Sequence, residues 1–288
     1  MVGNIIIYGA LSIFFIIITL LFSVAITGHD QRAYSVMDPG DLVEVAGRQL
    51  SIEDLASVYQ PKVFLRSTNT SPPLLWVWFE AVLNENSVDL VYYHVWENEI
   101  NPNAAFHKLY SIFRAAYYGF PLYDIEYFQV SISRTSGEVV SLVFETSLGD
   151  DFSVTLSEHI VVRYELGNDG KYMETWITRT GDEISRVAGV PVYFDGMRVL
   201  VNVQTWNHLT SILSGSRSEY LFLDASLRAL SAEDYSKLKF VRKSQGDHRT
   251  IENRWTRPLA VLASFLLVTL PAGVIYHFRR HQHSSRRG

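Results

Sequence analysis

Two carboxylates two residues apart, Asp124 and Glu126, open the aromatic and β-branched run Tyr123 to Ser133. In an extended chain such a pair emerges on one face, a few ångströms apart. That spacing suits a hard cation, Ca²⁺ or Mg²⁺, held through oxygen ligands. His208, at the start of a later segment, can complete the set, so Asp124, Glu126 and His208 are the candidate metal ligands. The competing reading makes the two acids solvated edge residues or ion-pair partners of Arg114 or Arg134. Under it the like charges repel modestly, and Asp124→Asn is expected to be neutral or slightly stabilising. A second group, His94-Val95-Trp96-Glu97-Asn98-Glu99, ends another run. Alternation there places His94 and Trp96 on one face and Glu97 and Glu99 on the other. His107 and His159 fit capping or packing roles. His277, His281 and His283 of the tail fit a transition metal or a titratable contact with lipid headgroups.

No complete catalytic signature accompanies these residues. The chain lacks G-x-S-x-G, H-E-x-x-H, a Walker loop, G-x-G-x-x-G and an EF-hand loop. Cysteine is absent, which removes disulfides, thiolate metal sites, Fe–S clusters and Cys nucleophiles. No catalytic residue and no organic cofactor is assigned, and a bound Ca²⁺ or Mg²⁺ is the one cofactor these residues suit. Without such a signature, and with aromatic residues suited to an interface, a non-enzymatic binding protein is favoured over an enzyme. The enzyme alternative is a cation-dependent hydrolase built on Asp124, Glu126 and His208.

The elements that must position these residues are mostly strands. Leu74 to Leu83 and Val88 to Trp96 flank Asn84-Glu85-Asn86-Ser87 and form a hairpin. Tyr123 to Ser133 and Glu138 to Thr146 form a second, around Arg134-Thr135-Ser136-Gly137. His159 to Leu166 and Lys171 to Thr178 form a third. Val190 to Phe194 and Met197 to Val203 flank Asp195-Gly196, the strongest two-residue turn signal in the chain. A helix opens at Ser51-Ile52-Glu53-Asp54 and closes before Pro61. Ala104 to Tyr118 carries one apolar face at helical spacing, and further helices are expected over Trp206 to Leu213 and from Ser226 toward Lys239. The expected class is α+β: an antiparallel, sandwich-like domain.

Both ends of the chain are greasy. Ile5 to Ile26 is 22 residues without a charge, enough at about 1.5 Å per residue to cross a bilayer core. Pro258 to Tyr276 is another 19, bracketed by Trp255 and Tyr276. The first run is too long for a signal-peptide core, and no Lys or Arg precedes it, so a retained anchor is expected. The tail carries Arg279, Arg280, Arg286 and Arg287 and no acid, which places it in the cytoplasm and the central domain outside. The expected organisation is a transmembrane helix over 1–27, a linker and leading strand over 28–50, an extracytoplasmic domain over 51–257, a second transmembrane helix over 258–278 and a basic tail over 279–288.

Four of the 25 basic residues and none of the 30 acidic ones lie outside residues 28–257, leaving that segment at −9. A domain so acidic repels phosphate backbones, which excludes nucleic acid as a natural partner. The expected partners are the lipid bilayer and a protein or glycan outside the cytoplasm, with the chain an accessory subunit of a larger membrane complex. Trp76, Trp78, Tyr92, Tyr93, Trp96, Tyr117 and Tyr118 are the aromatic interface candidates. The alternative binding role is a lipid- or glycan-headgroup module.

Four segments resemble a known group. Tyr59-Gln60-Pro61-Lys62-Val63-Phe64-Leu65 is similar to the Y-x-P-x-x-x-L opening of the Vps62-related and necrosis-inducing (NPP1-like) proteins. Leu90 to Trp96 resembles the aromatic strand of that group, and Asp124 to Val130 its D-W-E-x-x-x-V strand. Arg198 to Val203 with Trp206-Asn207-His208 resembles its late strand and following histidine. The resemblance covers roughly residues 59 to 208 and implies a β-sandwich. In necrosis-inducing members, a histidine just before the acidic pair joins the acids in a cation site. Tyr123 stands in that place here, so the resemblance implies the fold and not the metal-dependent toxicity.

Overall fold

The computed structural model describes residues 31–32, 36–108, 110–111, 123–147, 152, 159–178, 182–214, 217–231 and 250–251. The chain divides into two units, Met1–Arg32 with Thr250–Gly288, and Ala33–Arg249. In the first, β1 (Gln31–Arg32) pairs antiparallel with the final strand, β17 (Thr250–Ile251). Both apolar terminal runs, the basic tail, Tyr117 and Tyr118 lie outside the described residues. Among the described residues no helix is long and apolar enough to cross a membrane.

The second unit begins with a hairpin of β2 (Leu42–Val45) and β3 (Arg48–Ser51), whose Val43 and Val45 point into the core. It leads directly into α1 (Ile52–Tyr59). Ser51 caps this helix, its hydroxyl accepting from the Asp54 amide at 3.0 Å, and Glu53 and Asp54 favour the positive end of the helix dipole. Pro61 prevents continuation. Ile52, Leu55, Ala56 and Tyr59 form the buried face. The Tyr59 hydroxyl donates to the carbonyl of Gly137 at 2.6 Å, and Gly137 has φ +75°, a conformation glycine adopts without strain.

Seven consecutive strands form an antiparallel meander: β5 (Leu74–Leu83), β6 (Ser87–Trp96), β7 (Asp124–Ser133), β8 (Val139–Thr146), β9 (Ile160–Leu166), β10 (Tyr172–Ile177) and β11 (Glu183–Val190). A late strand, β16 (Ser226–Ala229), joins parallel to β5 and completes an eight-stranded sheet. A second sheet of five strands contains β4 (Lys62–Arg66), β12 (Phe194–Asp195), β13 (Arg198–Val203), β14 (Thr210–Ile212) and β15 (Tyr220–Leu223). In it β4 runs parallel to β13 and antiparallel to β15.

The core lies between these sheets. Alternate residues Leu90, Tyr92 and Trp96 of β6, Phe128 and Val130 of β7, and Leu142 and Phe144 of β8 pack with Val63 and Leu65 of β4 and Val199, Val201 and Val203 of β13. Removing this apolar surface from water is the main stabilising term. Phe128 and Phe144 stack at 4.6 Å, and Phe144 and Tyr164 at 5.8 Å. The reverse face of the large sheet carries its own cluster of Trp78, Val91, Tyr93, Val95 and Tyr127. Both faces of β5 and β6 are therefore covered, and their sequences read as nearly continuous apolar runs instead of alternating ones. The result is a β-rich, predominantly antiparallel domain with few helices.

The three expected hairpins of the large sheet form, and the Asp195-Gly196 turn joins β12 to β13 with Gly196 at φ +64°. One expected helix does not form, and another does not begin where expected. Trp206 to Leu213 is a turn followed by β14, closed by the Gln204 amide donating to the Leu209 carbonyl at 2.7 Å. Ser226 to Ala229, the start of the other, is β16, and residues 232–239 of that expected helix lie outside the described residues. Leu, Arg and Ala favour a helix there, but the open edge of β5 offers a row of backbone partners, and that tertiary demand overrides a weak local preference. Of the helix expected over Ala104 to Tyr118, residues 104–108 and 110–111 are helical and the rest lies outside the described residues.

Candidate functional site

The segments that end the sheets at one side bring four residues together from distant parts of the sequence. Trp96 closes β6 and Asp124 opens β7 directly opposite it. His208 sits in the turn between β13 and β14, with φ +63°, a left-handed conformation uncommon for a residue with a Cβ. The turn is held by the His208 amide donating to the Thr205 carbonyl at 3.1 Å and the Leu209 amide donating to Thr205 Oγ1 at 3.1 Å. Ser71 lies in the loop between β4 and β5, just before Pro72 and Pro73. This fixed turn aims the imidazole of His208 inward, where it is fully buried.

Both ring nitrogens of His208 are engaged. Nδ1 is 2.6 Å from Asp124 Oδ2, and Nε2 is 2.9 Å from Ser71 Oγ. A carboxylate only accepts, so Nδ1 carries the proton, and in the neutral ring Nε2 is left to accept from the serine hydroxyl. The Pro72 carbonyl, 3.0 Å from the same hydroxyl, is the competing acceptor. Trp96 stacks flat on the imidazole, with centroids 4.1 Å apart and planes 6° from parallel. Ring orientation and tautomer are thus set together, by packing and by the carboxylate.

A second histidine lies beside the first. His159, one residue before β9, places Nδ1 2.7 Å from Glu145 Oε2 and Nε2 2.9 Å from Asn207 Nδ2. Asn207 precedes His208 in the same turn, so the two histidine networks share one piece of backbone. Thr146 Oγ1 donates to Gln204 Oε1 at 2.9 Å and ties that turn to the end of β8. Glu145 is buried, and its Oε1 has no hydrogen-bond partner.

Ser71 opens onto a cleft of about 850 Å³. Thr68, Asn69, Thr70, Ser71, Glu97 and Asn98 supply its polar lining, and prolines, Ile100, Phe152 and Trp206 supply apolar surface. The Trp206 indole nitrogen is buried without a hydrogen-bond partner. Tyr110 packs edge-on against Trp206 at 5.9 Å and donates to Glu99 Oε1 at 2.5 Å. Such a mixture of hydroxyls, amides and a carboxylate beside an aromatic wall is the usual make-up of a small-molecule site.

Of the three candidate metal ligands, Asp124 and His208 come together, but they bind each other. Glu126 is two residues further along β7, opposite His94. Among the described residues no group of three His, Asp or Glu side chains is arranged to hold a metal ion. His94 differs from the other two histidines. It is 1% exposed and neither ring nitrogen has a hydrogen-bond partner, so burial pushes its pKa down to about 4. Among the interface candidates, Trp78 and Trp96 are 2% and 0% exposed, and Tyr92 and Tyr93 are also buried. Their surface is spent inside the domain, and the expected interface role does not fit them. Trp76 is half-buried, with the Arg228 guanidinium 4.8 Å over its ring. Sequence reasoning missed Ser71, Glu145 and Asn207. Ser71 sits in a polar loop whose only local signal is the two prolines, and nothing nearby marks the hydroxyl as special.

No family model matches the chain, and no curated protein matches it. Solved structures do show similarity. One described as NLPPya in complex with mannosamine has a TM-score of 0.34 and 11% identity, covering 68% of this chain and 78% of that one. NLPPya in complex with glucosamine has a TM-score of 0.34, 10% identity and the same coverage. A structure described as a toxin fold for microbial attack and plant defense has a TM-score of 0.35 and 12% identity, covering 71% of this chain and 80% of that one. These similarities are remote.

Proposed function

We propose that the chain is a membrane-anchored binding protein whose extracytoplasmic domain captures a small hydroxylated headgroup, such as a sugar unit of a glycan or glycolipid, in the cleft beside Trp206. The observation that carries this reading is the lining of the cleft. Thr68, Thr70, Ser71, Asn69, Asn98 and Glu97 line the same space as Trp206 and Phe152. Sugars present just such a mixture of hydroxyls and apolar C–H faces, and the second kind stacks on aromatic rings. The anchoring part of the proposal rests on the two uncharged terminal runs and the arginine-only tail.

Ligand-observed NMR of the full chain in detergent micelles, with a panel of neutral, amino and acidic monosaccharides, tests the binding. Transfer of saturation to at least one sugar is expected, and Trp206→Ala is expected to abolish it. No transfer across the panel would remove the sugar reading. For topology, protease added to intact cells is expected to degrade the central domain while an epitope after Gly288 stays protected. The reverse pattern would overturn the orientation.

A further inference from the structure

We propose that Ser71, His208 and Asp124 form a nucleophile–base–orienter chain that makes the cleft an acyl-transfer site for carboxylic esters. The inference goes beyond binding and does not require the natural ligand to be a sugar. Its basis is the geometry of three side chains drawn from separate parts of the fold. Ser71 Oγ is 2.9 Å from His208 Nε2, and His208 Nδ1 is 2.6 Å from Asp124 Oδ2. A hydroxyl within hydrogen-bond reach of an imidazole, whose other nitrogen is held by a carboxylate, is the arrangement that activates a serine on many unrelated folds.

Three further features separate this chain from a chance cluster of polar groups. Ser71 lines the cleft, so a substrate bound there lies beside the residue. The Asp124 carboxylate fixes the Nδ1–H tautomer, leaving the Nε2 lone pair directed at the hydroxyl. The Trp96 stack at 4.1 Å and the left-handed backbone of His208 hold the ring in one orientation. A φ of +63° at a residue with a Cβ carries strain, of the kind that concentrates at functional positions. Pro72 has no backbone N–H, so the residue after the nucleophile cannot supply an oxyanion donor. Asn69 and Asn98, which line the same cleft, carry side-chain amides of the type that serves instead.

The step balances with water as the only co-reactant. Ser71 Oγ bonds to the ester carbonyl carbon as its proton passes to His208 Nε2. The C–O bond to the alcohol then breaks, and the departing oxygen takes that proton from Nε2. Water enters, gives a proton to Nε2 and attacks the acyl carbon, and Ser71 regains its proton as the carboxylic acid leaves. Ser71 and His208 are the catalytic residues, and Asp124 is a positioning residue acting through the imidazole.

The test uses the full chain in detergent micelles, a fluorophosphonate probe and p-nitrophenyl acetate. Intact-mass and peptide mass spectrometry are expected to show one probe molecule per chain, on Ser71, and none on Ser71→Ala. Turnover of the aryl ester above the Ser71→Ala background is expected, with kcat rising through the titration of one group. Asp124→Asn is expected to slow labelling on the order of 100-fold or more, because the amide favours the wrong tautomer. Asp124→Glu is expected to recover part of the rate, whereas a merely structural aspartate would change melting without changing the pH profile. The proposal is overturned if the wild-type chain, with native far-UV and melting signals, leaves Ser71 unlabelled between pH 6 and 9. It is equally overturned if labelling and turnover persist undiminished in Ser71→Ala. Sugar binding is scored independently, so a chain that binds sugars and leaves the probe untouched would retain the binding reading and lose this one.

Discussion

His94 and His208 are both buried histidines, and strand β6 links them, because His94 lies two residues before the Trp96 that stacks on His208. Their surroundings are opposite. His208 has a carboxylate on one nitrogen and a hydroxyl on the other. His94 has no hydrogen-bond partner on either, and the ring of Phe128 lies 6.5 Å from its own. Burial by itself makes imidazole an inert, neutral core residue that resists protonation. Burial with one acceptor and one donor makes the same ring a base with a defined tautomer. The chemistry of this domain therefore lies in the partners of its histidines more than in their depth.

The largest effect expected from breaking this contrast is at Trp96. Trp96→Ala removes the platform beneath His208 and opens a cavity in the main core, and a loss of about 3–5 kcal/mol is expected in chemical denaturation. A loss below about 1 kcal/mol would mean that the stack does not hold the ring.

Next comes acid. The folded-state pKa of His94, about 4, lies below the ordinary value of 6.5, so the unfolded chain takes up a proton that the folded chain refuses. Above pH 6.5 this histidine contributes nothing to pH dependence. As pH falls from 6.5 to 4 it withdraws stability, approaching about 3 kcal/mol. Denaturant midpoints over that range are expected to fall in the wild type and to fall less steeply in His94→Leu. Equal slopes in the two proteins would remove His94 as the origin.

The smallest effect is at Asp124, where the structure changes the sign expected from sequence. Two acids on one strand face favour neutralising one of them, but Asp124 is committed to His208. Asp124→Asn is therefore expected to cost about 1.5–3 kcal/mol, the range for a hydrogen bond to a charged group. Melting Asp124→Asn beside Glu126→Gln sharpens the comparison. A loss at both positions alike would place the effect in the strand instead of in the histidine pair.

Much of the scaffold was legible because its determinants are local. Asn84 to Ser87, Arg134 to Gly137 and Asp195-Gly196 each announce a turn within a few residues, and the strands beside them follow. Ser51 with Asp54 and Pro61 bounds α1 in the same way. Strand β11 and the β16 edge were less legible, since their sequences lack a decisive period and their state depends on a neighbouring strand. Asp124 and His208 stood out as candidate site residues by type, yet their partnership with each other, in place of a shared cation, could not be read from spacing. Ser71 carried no mark at all.

The sequence by itself determined the apolar and β-branched character of the strands, the positions of the turns, the acidic balance of the central segment and the absence of cysteine chemistry. Each of these is a property of composition or of a few neighbouring residues. Only the tertiary structure decided which histidine gained partners, because those partners lie 84 and 137 residues from His208 along the chain. Contacts at such separation arise where the two sheets pack and a strained turn aims one side chain between their ends, and no local pattern encodes that meeting.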